Sequence, residues 1–505
     1  REQQAAARLE AARAAAGVNT LEELAAARPE LDKAVKDHRR VERERAAFAE
    51  AEKRLVCEGL LDPSKHATGR YDTLMRFAML AFQQKNLVMA QGDISRGTLE
   101  ALARPPLQSD FLVLERVIAE RVADAGRFIE DGSVEGATYV EGGGNGDGGD
   151  RGGEGIKRPV PNLVGQGTKA VLARLGIETP EDALAFFRRR SRADFRRLAV
   201  AVRLPEKPPY HADHMELRVE IDRGDVWYDF PFDSKGRRLP QPRTRFPSFT
   251  LLTHWQGQDI PLVRWRTTVG GWRSELASDG QEYLRYKGSD VGARVIRHVV
   301  AAPVWLPPES TPMGGFVKEK WVNGAVVSVP NHDEVGPGYL SAYGLVAGIH
   351  VEPRGQGERK FYFDNGIRTH GTFDYTSLRG RFSHGCHRLA NHLAVRVFSF
   401  VLQHRRWRAI GSMTIDYRKT FVAQGGVYEL RLPSRGYYYE LDPPMPVATL
   451  PGTVKGTRTQ PLSGYVNKPG VVYARKAPPT APTGPEEKAG GGAAERDPAE
   501  SGAGQ

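Results

Sequence analysis

Cysteine is scarce in this chain: Cys57 and Cys386 are the only two among 505 residues. Two thiols cannot build the disulfide framework of a small secreted domain. They also lie too far apart in the sequence to suggest a tetrahedral sulfur site for zinc. Such a chain suits an oxidising compartment, because a reactive cysteine there has to avoid a disulfide partner.

Long apolar runs are missing as well. The longest, such as 340–349, fall well short of the ~20 residues that span a bilayer, so no transmembrane helix is expected. No secretory leader is visible at Arg1, as expected for the mature form of an exported protein. The Gly-rich stretch at 142–155 has no Gly-Lys-Ser/Thr end, which excludes a P-loop there.

Basic residues outnumber acidic ones, with a formal net charge of +11 and a pI of about 9.5. This charge favours anionic partners such as cell-wall polymers, anionic lipid surfaces or nucleic acid. The sequence contains no zinc finger, RNP-like motif or basic-aromatic stripe, so nucleic acid is not expected as a partner.

Composition and apolar periodicity predict a multidomain α+β chain, in which helical modules precede a mostly-β domain. We expect a Gly-rich linker to tether the two halves. The predicted segments are a helical N-terminal segment at 1–54, a helical domain at 55–140, the linker at 141–157, a small helical subdomain at 158–204, the mostly-β domain at 205–450 and a disordered tail at 451–505.

The residues that could carry chemistry gather between 370 and 388. His370-Gly371 is followed, a dozen residues later, by Ser383-His384-Gly385-Cys386. A thiol reacts as thiolate, and a neighbouring imidazole is the usual means of forming one near neutral pH. The two glycines let the backbone turn sharply, so that main-chain N–H groups can point at a developing oxyanion. Nucleophile, base and oxyanion donors are what acyl transfer requires.

Spacing alone leaves two other interpretations open. A lone cysteine is commonly a small buried hydrophobe, and a lone histidine an ordinary core or surface residue. Alternatively, Cys386 could join His370, His384 and His387 around a zinc ion, although adjacent Cys386 and His387 give poor spacing for it.

The block HGTFDYTSLRGRFSHGCHRLAN resembles the active-site signature of the L,D-transpeptidases of the YkuD family, a first histidine followed after a spacer by SHGC-x-R-[LM]-x-N. His387 departs from it, because the family usually carries an aliphatic residue there. A looser similarity spans 214–418, so 205–450 is predicted to be an L,D-transpeptidase-like catalytic domain. The matching residues are His370, Ser383, His384, Gly385, Cys386, Arg388, Leu389 and Asn391.

The resemblance implies catalytic roles for three of these positions and for Gly371. Cys386 is the nucleophile and His370 is the base. A main-chain carbonyl near Gly371 orients the His370 ring in place of a carboxylate. The N–H groups of Gly385 and Cys386 form the oxyanion hole.

Four further positions are assigned by the resemblance to the substrate site. Arg388 organises the loop or holds a substrate carboxylate, a task that suits its planar fork. Ser383 is assigned to substrate binding as well. His384 is expected to pack the nucleophile loop, and Asn391 to hold the start of the following helix.

The implied reaction is peptidoglycan crosslinking in the cell envelope, in a periplasmic or exported location. The donor is a tetrapeptide stem that loses D-alanine, the acceptor is a diaminopimelate side-chain amine, and the product is a 3→3 crosslink. Carbapenems are implied to acylate Cys386, and no metal or organic cofactor is required. Water as acceptor would give an L,D-carboxypeptidase, and a protein lysine would give lipoprotein anchoring.

Two interpretations from other classes remain. In the first, the helical modules bind murein and the cysteine domain is inactive, so that the protein is a non-catalytic scaffold; the intact motif argues against this. The second is a Cys–His endopeptidase or amidase of the NlpC/P60 kind. In that class the cysteine precedes the histidine, whereas here His370 precedes Cys386.

A second resemblance lies in the helical half. The phrase LMRFAMLAFQQKNLVMAQGDISRGTLEAL, which contains Phe82-Gln83, is similar to the small three-helix peptidoglycan-binding domain. Segment 55–140 is therefore predicted to be a peptidoglycan-binding-like domain, with murein glycan contacted through residues 55–105. The alternative is a helix–loop–helix with a glycine C-cap and no binding role.

Overall fold

The computed structural model describes residues 2–88, 94–142, 155–308, 311, 313–322, 325–355, 357–373, 378 and 383–473. The chain forms two compact units, Arg1–Val113 and Leu114–Gln505. As predicted, helices make up the N-terminal region and strands dominate the later part, so the fold class is α+β. No helix in these described ranges has both the length and the apolar character needed to cross a bilayer.

The first unit is built from helices with polar caps. The Thr20 hydroxyl accepts the N–H of Glu23 and so begins the second helix, and Asp72 begins the fourth in the same way. The helices are α1 (Glu2–Ala16), α2 (Leu21–Ala27), α3 (Asp32–Cys57), α4 (Thr73–Lys85), α5 (Arg96–Leu102) and α6 (Pro106–Gly126), the last of which continues into the second unit.

The segment that resembles a peptidoglycan-binding domain packs around Phe82. Its ring lies in a buried cluster with Met75 and Met79 of α4 and Leu55 of α3. Next to it, the buried Gln83 amide donates to the hydroxyl of Thr98 at 2.9 Å, which ties α4 to α5. Phe82 and Gln83 of the motif therefore hold the helices together. Residues 89–93 of the motif lie outside the described residues.

The glycine-rich segment connects two strands of one hairpin. β1 (Thr138–Glu141) pairs antiparallel with β2 (Ile156–Pro159), and Glu141 lies opposite Ile156. Both strands belong to the second unit, which differs from the expected tether between the helical and mostly-β halves. Residues 143–154 lie outside the described residues. The helices α7 (Leu163–Leu175), α8 (Pro180–Arg188) and α9 (Arg192–Arg197) follow.

A ten-stranded sheet is the centre of the second unit. Its strands are β3 (Glu216–Asp222), β5 (Ser248–Trp255), β6 (Gln258–Arg266), β9 (Gly292–Ala301), β12 (Val346–Arg354), β13 (Phe361–Phe363), β14 (Arg368–Thr372), β15 (His387–Ala390), β16 (Trp407–Ala423) and β17 (Gly426–Leu450). The order is β15-β14-β12-β9-β17-β3-β5-β6, with β13 beside β12 and β16 beside β17. The β14–β15 and β17–β3 pairs are parallel.

The main core lies between this sheet and α11 (Asn391–His404). Val397, Phe398 and Val401 of the helix are fully or almost fully buried there, at the i, i+1 and i+4 spacing of an apolar helix face. Deleting one such side chain typically costs about 2–5 kcal/mol. The helix begins directly after β15, so the core fixes the strand that follows the cysteine.

A buried polar cluster attaches the segment before β1 to this core. Glu130 is fully buried and accepts hydrogen bonds from the Tyr210 hydroxyl at 3.0 Å and from Nε2 of His211 at 2.7 Å. Burial raises the pKa of the Glu130 carboxyl, but the hydrogen bond and charge of His211 outweigh it, and the pKa falls below its ordinary value. Residues near 130 and near 210 are therefore held against each other.

Three smaller sheets complete the unit: β4 (Asp225–Trp227) with β18 (Thr453–Lys455), β7 (Gly270–Leu276) with β8 (Glu282–Gly288) and β19 (Val466–Asn467), and β10 (Val317–Val322) with β11 (Ala325–Pro330) before α10 (His332–Val335). The expectation of a disordered tail from 451 is therefore wrong for 451–473. Tyr473 stacks on Tyr283 with ring centroids 4.7 Å apart, and Lys468 pairs with Glu282 at 2.5 Å. Residues 474–505 lie outside the described residues.

Candidate active site

The parallel pair β14–β15 brings the two halves of the cysteine motif together. His370 lies directly opposite Arg388 in the register, and Thr369 lies opposite His387. Because side chains alternate along a strand, His370 and Arg388 share one face of the sheet and Thr369 and His387 share the other. The motif therefore has a catalytic face, on which His370 and Arg388 lie, and a supporting face behind it. Residues 374–377 and 379–382 of the connection lie outside the described residues.

His370 is held as a neutral imidazole. Its Nδ1 lies 2.8 Å from the carbonyl oxygen of Gly371, which can only accept, so Nδ1 carries the proton and Nε2 keeps its lone pair. The ring is almost fully buried. Burial lowers the pKa of His370 to about 3, and the positive charge of Arg388 adds to the effect. The imidazole is therefore uncharged at neutral pH and can accept a proton.

Tyr343 covers the His370 ring, and sequence reasoning missed it. The ring centroids are 4.9 Å apart with the planes tilted by 59°. Burial raises the pKa of the Tyr343 hydroxyl, and the charge of Cys386 raises it further. Tyr343 lies in the loop 336–345, which comes directly before β12. An aromatic residue next to Gly344 was the sequence feature that could have indicated a role for this position.

The cysteine turn fits closely among glycines. Gly385 has φ +107°, a region that favours glycine, and a Cβ there would lie 2.8 Å from Ile367. Across from it, a Cβ on Gly270 would lie 2.7 Å from the Gly385 nitrogen. Cys386 is partly exposed, and its thiol lies 3.5 Å from the carbonyl oxygen of Gly366. The start of β7 thus supports the backbone that carries Cys386.

Two threonines just before β7 fix the backbone from Cys386 to Arg388. The Thr268 hydroxyl donates to the Cys386 carbonyl at 2.8 Å and accepts the Arg388 N–H at 3.1 Å. The Thr267 hydroxyl donates to the Arg388 carbonyl at 2.9 Å. Both threonines are fully buried, so these bonds are shielded from water.

Arginines make the neighbourhood of the cysteine positive. Arg273 of β7 donates from Nε to the Ser383 carbonyl at 3.0 Å. Burial lowers the pKa of Arg273 to about 10, and the charges of Arg388 and Arg243 contribute in the same direction. Within the described ranges, neither Arg388 nor Arg243 has a carboxylate within 4.0 Å. The catalytic face is thus suited to an anionic group.

A further cation, at the start of β14, is held by an ion pair. Arg368 contacts Asp364 through two hydrogen bonds of 2.6 and 2.5 Å. Burial lowers the pKa of Arg368, but the charge and hydrogen bonds of Asp364 outweigh it, and Tyr343 and Cys386 also raise it. Arg368 therefore stays charged within electrostatic reach of Cys386.

The structure places the remaining sequence-predicted residues in different surroundings. Ser383 is buried, and its hydroxyl accepts the Gly385 N–H at 3.3 Å. His384 is exposed, and its packing role stays a prediction. Asn391 is buried; its amide donates to the Tyr339 carbonyl at 2.9 Å and its side-chain oxygen accepts the Leu345 N–H at 3.1 Å. Asn391 therefore fastens the loop that carries Tyr343 to the start of α11.

His387 lies on the supporting face. It is fully buried, with Nε2 3.0 Å from the Ser289 hydroxyl and its ring centroid 5.2 Å from that of His350. Burial lowers the pKa of His387 to about 3. Over the described part of the chain, no three His, Cys, Asp or Glu side chains gather into a possible metal site.

Comparison with protein-family models connects the strand-rich part of the chain with the L,D-transpeptidases. Residues 248–472 match the family model of YkuD, the L,D-transpeptidase catalytic domain. The predicted resemblance to the YkuD family is confirmed by this match, which covers somewhat less than half of the chain and lies within the strand-rich unit. The helical N-terminal region receives no family name from it. No curated protein matches the chain.

Proposed function

We propose that this protein is a cysteine-dependent L,D-transpeptidase that forms 3→3 crosslinks in peptidoglycan through a thioester acyl-enzyme. The observation that carries the proposal is the pairing of β14 with β15. It sets a neutral imidazole, with Nδ1 held by the Gly371 carbonyl, on the same face as Arg388 and next to the glycine turn of Cys386. The family match at 248–472 supports the same reaction class.

Acylation begins with attack of the Cys386 sulfur on the amide carbonyl before the terminal D-alanine of a tetrapeptide stem. The S–C bond forms while the thiol proton passes to Nε2 of His370. The Cys386 N–H receives the developing oxyanion, and the Gly385 N–H joins it by leaving the Ser383 hydroxyl, to which it donates at 3.3 Å. When the C–N bond breaks, the leaving amine takes the proton from His370 and departs as D-alanine.

Deacylation uses the same groups in reverse. A diaminopimelate side-chain amine attacks the thioester and gives a proton to His370. The new amide C–N bond forms as the C–S bond breaks, and the departing sulfur recovers that proton. Arg388, with Arg273 beside it, would hold a carboxylate of the donor stem, because a planar guanidinium matches a carboxylate in two hydrogen bonds.

The test is intact-mass spectrometry after incubation with a carbapenem. One covalent adduct is expected on the wild type and on Cys57→Ala, and none on Cys386→Ala. Cys57 is an exposed thiol at the end of α3 and serves as the internal control for unspecific thiol chemistry. An adduct that survives in Cys386→Ala would overturn the assignment of the nucleophile.

The acceptor decides between the proposed reaction and its alternatives. Purified stem tetrapeptides should yield crosslinked dimers, whereas release of D-alanine without dimers would identify an L,D-carboxypeptidase. Transfer to a lysine-bearing peptide would identify lipoprotein anchoring. A wild type that forms no adduct with carbapenem and releases no D-alanine would leave the scaffold interpretation.

The helical half is proposed to contact murein in the cell envelope. Leu74 and Phe77 of α4, and Tyr71 just before it, leave large apolar side chains exposed. Such exposed aromatic and aliphatic groups commonly mark binding surfaces. Phe77→Ser should weaken binding to purified sacculi. Retention of full binding would assign the motif around Gln83 to helix packing alone.

A further inference from the structure

A buried serine outside the cysteine motif holds the nucleophile turn. Ser289 lies between β8 and β9, and its hydroxyl is 2.6 Å from the carbonyl oxygen of Gly385. Its backbone N–H donates to the Val269 carbonyl at 2.8 Å, which fixes the serine itself. The Ser289 side chain is thus a rigidly placed donor behind the turn.

The same hydroxyl is also contacted by His387, and its contacts define a direction. Two carbonyl oxygens face the one hydroxyl proton, that of Gly385 at 2.6 Å and that of Val269 at 3.3 Å, and the proton goes to the closer one, so Ser289 donates to Gly385. It must then accept from His387 Nε2–H at 3.0 Å. Burial keeps His387 neutral, because its pKa is lowered to about 3, so the donating tautomer is available across the working pH range.

Holding this carbonyl also sets the direction of the next N–H. In a planar trans peptide the C=O and N–H point in opposite directions. The Gly385 carbonyl points toward Ser289, so the Cys386 N–H of the same peptide points away from it. A peptide next to a glycine at φ +107° could rotate readily, since glycine tolerates many backbone conformations. A fixed carbonyl removes that freedom.

We propose that Ser289 and His387 are positioning residues that fix the Gly385–Cys386 peptide, so that the Cys386 N–H is presented as an oxyanion donor. His387 acts only through Ser289. This inference rests on the proposed acyl-transfer function. It assigns a role to the one motif position at which the chain carries a histidine in place of an aliphatic residue.

The kinetic test compares Ser289→Ala, His387→Leu and the double variant in carbapenem acylation. Ser289→Ala should lower the acylation rate constant about 10- to 100-fold, with reversible carbapenem binding within about threefold of the wild type. His387→Leu should lose about 3- to 10-fold, because Ser289 can still donate to Gly385. The double variant should be no slower than Ser289→Ala. Multiplying losses would overturn the relay, as would a Ser289→Ala variant at the wild-type rate.

Two controls separate positioning from general loss of structure. Ser109→Ala removes another buried serine hydroxyl, which contacts Arg54 in the first unit, and should leave acylation unchanged. Ser289→Thr keeps the hydroxyl and should recover most of the rate that Ser289→Ala loses. A Thr variant as slow as the Ala variant would contradict the role of the hydroxyl.

A second readout does not depend on catalysis. With only two cysteines, selective 15N-cysteine labelling gives two amide signals, from Cys57 and Cys386. Ser289→Ala should shift and broaden or split the Cys386 signal and leave that of Cys57 in place. An unchanged Cys386 signal would refute the proposal. If the wild type fails to acylate, the proposed function fails, and this measurement still decides whether Ser289 fixes the peptide.

Discussion

Replacement of Gly270 by alanine is expected to disable the nucleophile turn without unfolding the domain. Gly270 has φ +77°, and an added Cβ would lie 2.0 Å from the Lys287 carbonyl oxygen and 2.7 Å from the Gly385 nitrogen. An L-residue in the left-handed region costs about 1–2 kcal/mol. Both contacts are with backbone, so relief requires a shift of roughly 1 Å in β8 or in the turn. A displacement of that size at a reacting group can cost about 100-fold in rate.

Gly257→Ala is the matched control. Gly257 has nearly the same backbone angle, φ +75°, but a Cβ there meets nothing within 4 Å. It should lose a comparable 1–2 kcal/mol of unfolding free energy for the strain alone and acylate at the wild-type rate. Stopped-flow acylation with a carbapenem and urea unfolding of both variants make the comparison. Acylation of Gly270→Ala at the rate of Gly257→Ala would refute the reasoning.

Three further outcomes are expected. Asn391→Ala should lower the unfolding free energy, measured by urea unfolding, by about 2–3 kcal/mol. It should also slow acylation, measured by stopped flow, because it loosens the loop that holds Tyr343. Unchanged stability would contradict the two hydrogen bonds of Asn391. Because the pKa of His370 is lowered to about 3, the neutral base persists in acid, and acylation should stay flat from pH 7 to 5; a midpoint near 6.5 would contradict this. Glu130→Gln should destabilise the second unit by about 3–5 kcal/mol, seen as a lower Tm, because it leaves the buried pair with His211 incomplete; an unchanged Tm would disprove it.

Buried histidines should also make stability depend on pH. The pKa values of His370 and His387 are each lowered to about 3 by burial. Between that value and the ordinary 6.5, the unfolded chain binds more protons than the folded one, so stability falls as pH drops through this window. Each such histidine contributes about 1.4 kcal/mol per pH unit. Urea unfolding at pH 7, 6 and 5 measures the trend, and a stability that rises toward pH 5 would contradict it.

The local part of the candidate site could be predicted from the sequence. The residues of the cysteine motif lie within about twenty positions, and their order and spacing carry the chemistry. The switch from helical to strand-rich sequence likewise follows from β-branched and aromatic composition. Both predictions rest on residues that are close together in the sequence, so neither requires knowing which distant segments meet in the fold.

The supporting residues could not be predicted in this way. Thr268, Ser289 and Tyr343 come from segments that are 43 to 118 positions away from the cysteine, and single residues at such distances have no spacing rule. Strand pairing decides which of them meet. The prediction of a disordered tail failed near 473 for the same reason. The order of this segment depends on its contact with Tyr283 of β8 and not on its own Pro- and Gly-rich sequence.

The position of β17 sets how this domain can be divided. It lies in the middle of the sheet, between β9 and β3, yet it is formed by one of the last segments of the domain. Until it emerges during synthesis, the motif half (β9, β12, β14 and β15) and the other half (β3, β5 and β6) each carry an unpaired edge. Cleavage in the exposed turn at Gln424–Gly425 would leave fragments that each lack part of the sheet. The domain is therefore suited to split-protein complementation, in which one fragment returns the central strand to the other.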